Sequence, residues 1–143
     1  MWSDLVLAAE HAHLQRLMLW GGGSLVVGAL LLLTVARPRR SALLFHFALQ
    51  TAAWGAVNLV LAASGVRGLV ARDLSAATRL DRFLWLNVGL DAGYAAVGVT
   101  IALSAWLLGR RLGGIGAGVA VVIQGLALLL LDTRFLLFLE RSV

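Results

Sequence analysis

Four apolar runs dominate this 143-residue chain. Each is long enough to cross a bilayer, which takes about 20 residues of helix. The first runs from Leu17 to Ala36 (LMLWGGGSLVVGALLLLTVA), the second from Ser41 to Val66, the third from Phe83 to Gly109 and the fourth from Leu112 to about Leu139. The chain is 61% hydrophobic and only 13% charged, whereas soluble domains are about a quarter charged. The expected fold is all-α: a four-helix transmembrane bundle forming a single integral membrane domain over residues 1–143.

Two flanking segments suggest additional interfacial helices. The stretch WSDLVLAAEHAHLQR (2–16) reads as a short helix anchored by Trp2. In the second loop, Val70, Leu74, Ala77, Leu80 and Leu84 share one helical face while Arg72, Arg79 and Arg82 share the other, the pattern of a helix lying in the interface. A solvated turn entering the third span is the alternative there.

Charge placement bears on orientation. A cleavable leader carries its positive charge ahead of its apolar stretch. Here Arg16 precedes the first run, Asp4 and Glu10 lie further upstream, and three arginines follow in RPRR (37–40), so the run reads as a span. The positive-inside rule then puts the N-terminus outside, with RPRR, Arg110 and Arg111 in the cytoplasm. Arg67, Arg72, Arg79 and Arg82 oppose that assignment. N-out, C-out is favoured on balance.

Composition removes several chemistries. No cysteine is present, which excludes disulfides, thiolate catalysis, iron–sulfur clusters and Cys-based zinc sites. All twelve basic residues are arginine, so a Schiff-base lysine and a lysine-dependent phosphate loop are excluded as well. The net charge of +5 sits beside apolar runs, which points to a lipid bilayer rather than nucleic acid as the partner. GGIGAG (113–118) lacks the spacing and the preceding strand of a nucleotide loop and reads as helix packing. Glu10 and His13 form Glu-x-x-His, but di-metal bundles need several such carboxylates facing inward. His11 and His13 fall about 200° apart on a helix and cannot chelate together. No catalytic residues, metal or cofactor are expected.

What remains is a set of polar side chains inside the spans. Asn87, Asp91, Tyr94 and Gly98 lie within about 60° on one face of the third span. Gly89, Gly93 and Thr100 lie roughly opposite, a smooth stripe suited to close helix contact. The second span carries His46, Gln50, Trp54 and Asn58 in a row that winds through about 120°. The fourth carries Gln124 and Asp132 near Gly114, Gly118 and Gly125. Counting from the shared side of the membrane, Asn58, Asn87, Asp91, Tyr94 and Asp132 converge in one half of the bundle. Gln124 lies nearer the middle and His46 with Gln50 toward the other half, so a polar track running most of the way across is geometrically allowed. A mid-span carboxylate costs about 2.5–3.5 kcal/mol on insertion scales, which makes Asp91 a functional-site candidate by default. A buried structural hydrogen bond is the competing reading. Asp132, close to the span end and to Arg134, fits an ordinary helix-end pair as well. A haem or metal role for His46 lacks a second intramembrane histidine.

The combination FH (45–46) with WGAVN (54–58), LNVGLDAGY (86–94) with Gly98, and GIG (114–116) with IQG (123–125) and Asp132 resembles a family of small, uncharacterised bacterial membrane proteins, classed as a domain of unknown function. The resemblance spans Phe45 to Asp132. It implies a four-helix membrane domain and no known activity; the bacterial inner membrane is the expected location. A further polar residue between the FH pair and the tryptophan belongs to its pattern, a place Gln50 fills. Small multidrug exporters, with a glutamate in the first span, and fluoride channels, with a phenylalanine-rich third span, fit less well.

Two functions lead as expectations, ahead of a membrane-embedded enzyme or haem protein. One is binding or transport of a small ion, proton or polar solute, with Asp91 as the charged group, Asn58, Asn87 and Tyr94 as its shell, and Gln124, Asp132, Trp54, His46 and Gln50 along the path; a homodimer would help enclose it. The other is an accessory or assembly subunit of a larger membrane complex, with a structural polar core.

Overall fold

A computed structural model describes residues 2–34, 36 and 40–142. It contains α1 (Trp2–Thr34), α2 (Ala42–Arg67), α3 (Leu74–Leu107) and α4 (Leu112–Ser142). All four are long and apolar enough to cross a membrane, and helices satisfy every backbone group internally, as lipid requires. Arg37, Pro38 and Arg39 of the RPRR cluster lie outside the described residues.

The expected interfacial helices are not separate elements. Residues 2–16 continue into α1 without a break, since the stretch holds neither proline nor glycine to end a helix. Tertiary contacts hold it upright. Trp2 Nε1 donates to the Ser142 carbonyl oxygen at 2.7 Å, and Val6 is buried in a cluster with Leu84, Phe135, Leu136 and Leu139. The second-loop helix is likewise the opening of α3. Asp73 caps it, its Oδ1 accepting from the Ala76 amide at 2.7 Å. Of the apolar face read there, Ala77 and Leu84 are buried, Leu80 packs on the cluster, and Val70 and Leu74 are exposed. At 1.5 Å per residue, α1 and α3 are each about 50 Å long against a hydrocarbon core of about 30 Å. Both are therefore about 20 Å longer than a span needs, and their N-terminal ends lie on the side shared by the α2–α3 loop and the C-terminus.

Small residues decide which helices touch. A Cβ at Gly55 of α2 would sit 2.4 Å from the Leu25 amide nitrogen of α1, and one at Gly98 of α3 would sit 2.6 Å from the Val122 nitrogen of α4. Such backbone-to-backbone approach is open only to glycine. Helix α4 packs against all three others and α1 also against α2, while among the described residues the close backbone approach of α3 is to α4. Gly89 and Gly93, the stripe expected to face a neighbour, meet nothing within 4 Å. The reason lies in α3 itself: Ala95, Gly98 and Ala102 fall on the same side as Asp91, and α4 docks there through Gly125, Val122 and Gly118. The polar face and the packing face of α3 are therefore neighbours, and the smooth stripe points outward.

A candidate binding site between two helices that do not meet

Because α2 and α3 make no close approach, a cavity of about 680 Å³ opens between them, backed by α4 and bordered by α1. Trp54 of α2 and Tyr94 of α3 bridge the gap edge-to-face, ring centroids 5.0 Å apart. Asp91 and Asp132 are buried, at 5% and 6% exposure, and both line the cavity with Asn58, Asn87 and Gln50. Among the described residues, Asp91 Oδ2 and Asp132 Oδ1 are the buried side-chain atoms with no hydrogen-bond partner. His13 Nε2 does lie 3.3 Å from Asp132 Oδ1, but the approach lacks hydrogen-bond alignment, and the imidazole is stacked on Phe135 at 4.7 Å. Buried polar atoms are paired in the great majority of cases, so two carboxylate oxygens without a hydrogen bond, on residues that line one cavity, stand out.

Toward the α2–α3 loop the cavity is capped by an ion pair. Arg72 donates to Glu10 through Nε at 2.7 Å and Nη2 at 2.6 Å, a bidentate fork. The Glu10 carboxylate holds the Arg72 guanidinium above its usual pKa, chiefly through these bonds and against the opposing effect of burial.

Toward the bundle centre a second network closes the space. Trp20 Nε1 donates to Gln124 Oε1 at 2.8 Å, Asn58 Nδ2 donates to the same oxygen at 3.4 Å, and Gln124 Nε2 donates to Ser24 Oγ at 3.1 Å. Gln124 sits about 18 Å along α4 from Leu112 and Asp132 about 30 Å, so most of the polar interior lies between mid-depth and one side, with Gln50 reaching it from beyond the middle. The other half closes on small residues, with Gly28 against Ala48 and Ala52, and Gly116 against Leu43.

The structure thus brings together Asn58, Asn87, Asp91, Tyr94, Asp132, Trp54 and Gln50 around one cavity, and sets Gln124 just behind it. His46 does not join them. It is exposed, edge-on to Phe45 at 5.3 Å and against Gly113, because its row has wound out of the bundle by that depth. Sequence reading missed Glu10, His13 and Arg72. The Glu-x-x-His spacing was the available signal: it puts both residues on one face of a helix, but only a continuous α1 brings that face to the cavity.

The fold and cavity define a four-helix bundle of membrane-spanning length with a polar pocket in one half. Within that class, the chain belongs to the Family of unknown function (DUF6992), whose model matches residues 16–133. That match contains all the site residues read from the sequence; Glu10 and His13 precede it. No curated protein and no solved structure matches the chain.

Proposed function

We propose that the bundle binds a small ion, proton or polar solute in the cavity between α2 and α3, with Asp91 as the charged group. The observation that carries this reading is a pair of buried carboxylates, Asp91 and Asp132, each with one oxygen that no hydrogen bond satisfies, lining a cavity large enough for a small molecule. Asn58, Asn87 and Tyr94 supply neutral hydrogen-bonding partners, while Gln124 holds the floor. Binding is favoured over passage across the bilayer, since the far end of the bundle closes on small residues, Gly28 against Ala48 and Ala52 and Gly116 against Leu43.

The setting proposed is the inner membrane of a bacterium, N-terminus outside, so that the cavity faces outward. The test is ligand binding and flux in liposomes, wild type against Asp91→Asn. Silence of the wild type across a broad panel of ions and polar solutes would sink the proposal.

A second reading, an accessory subunit of a larger complex, is supported by the outward glycines Gly22, Gly23, Gly89 and Gly93, each with nothing within 4 Å. Such faces admit close helix docking, either by other subunits or by a second copy. Purification in mild detergent separates the two readings: co-purifying subunits favour this one, and a lone oligomer counts against it.

A further inference from the structure

Resting on the binding role proposed above, we infer that the ligand is a small amphiphilic organic ammonium that enters sideways, between α2 and α3. Three independent features of the cavity specify that chemistry. The first is charge. Glu10 is matched by Arg72, which leaves Asp91 and Asp132, each more than nine-tenths buried, with one oxygen apiece that no hydrogen bond satisfies and, among the described lining residues, His13 as the basic side chain beside Asp132. A site with excess carboxylate and unfilled acceptors takes a cation that brings its own N–H donors.

The second feature is the wall. Apart from these groups it is largely hydrocarbon, including Leu14, Val57, Leu61, Leu84, Leu90 and Phe135. A bare metal ion wants six or more converging oxygens, and among the described residues no cluster of three metal-ligating side chains exists. A hydrocarbon body attached to the ammonium would fill the apolar volume instead. Trp54 and Tyr94 stand on the two sides of the gap, where an aromatic face adds cation–π attraction.

The third is the opening. Val57 and Leu61 on α2 and Phe83 and Leu90 on α3 are 46–64% exposed while also lining the cavity. In a bilayer they face acyl chains. The mouth therefore opens on lipid, into which an amphiphilic ammonium partitions with its charge near the headgroups, level with this half of the bundle.

The experiment uses the full chain in nanodiscs, with empty nanodiscs subtracting lipid partition. Phenethylammonium, the neutral 2-phenylethanol, and sodium and potassium ions are compared by equilibrium dialysis and ligand-observed NMR. Saturable phenethylammonium binding is expected, with the alcohol on the order of tenfold to hundredfold weaker, the loss of one charge-assisted contact. Asp91→Asn and, separately, Asp132→Asn should weaken the ammonium by a similar factor and leave the alcohol unchanged. The comparison of ligands on wild type needs no variant to fold. Equal binding of the alcohol would overturn the inference by removing the charge. Asp91-dependent binding of sodium or potassium without the ammonium would overturn it while leaving the broader binding role standing. Failure of every probe, together with silence in the broad liposome panel, would remove both.

Discussion

Gln124→Leu is the substitution whose outcome the tertiary structure predicts most sharply. Gln124 is 2% exposed and ties three helices together: it accepts from Trp20 of α1 and Asn58 of α2 and donates to Ser24 of α1. Leucine keeps much of the volume, so little of the effect comes from a void. What is lost is three hydrogen bonds, and three formerly paired groups stay inside. Interhelical bonds of this kind average about 0.6 kcal/mol in membranes and reach about 1.7. The expected destabilisation is thus about 2 kcal/mol, with about 5 as the ceiling; the 3.4 Å bond from Asn58 contributes least. Equilibrium unfolding in mixed micelles with rising SDS reads this directly. A double-mutant cycle with Trp20→Phe isolates the 2.8 Å bond and should return a coupling of roughly 0.6–1.7 kcal/mol. Zero coupling, with Gln124→Leu as stable as wild type, would mean that α1 and α4 are not joined at mid-depth, and the closed floor of the cavity would go with them.

Two further outcomes follow from the packing and the ion pair. Gly125→Ala would set a Cβ 2.7 Å from the Ala95 nitrogen and 2.9 Å from the Asp91 carbonyl oxygen. These are backbone atoms that no rotamer change can clear, so a loss of about 1–3 kcal/mol is expected. Gly93→Ala, in open space, should be neutral or gain up to about 1 kcal/mol of helix propensity; matching unfolding midpoints for the two would contradict the α3–α4 interface. Arg72→Met strands Glu10, and the cost should fall toward the lower end of the ~3–5 kcal/mol typical of a broken buried pair, because the Arg72 side chain is 22% exposed. Adding Glu10→Met should restore most of it, and a double variant no better than the single would argue against the pair.

Hydropathy and period alone determined much of this protein. Four spans were legible because lipid demands about 20 apolar residues in a self-satisfied helix. The convergence of Asn58, Asp91 and Asp132 was legible because antiparallel helices of known rise place residues at countable depths. Family membership was legible too, in the fixed pattern of polar residues on three spans. Helical period assigns faces, however, not neighbours. In lipid no hydrophobic force selects which helices meet, so the choice falls to backbone fit at small residues. That is why Gly98, Gly118 and Gly125 form the α3 contact while Gly89 and Gly93 stay open, and why His46, one of a row with Asn58, ends outside the bundle. The tertiary structure alone decided that α1 runs unbroken through Glu10 and His13, because the contacts that hold its first turns upright, Trp2 with Ser142 and Val6 with Phe135, come from residues over a hundred positions away. It alone decided that α2 and α3 stand apart, and from that separation come the cavity, its cap and its opening toward lipid.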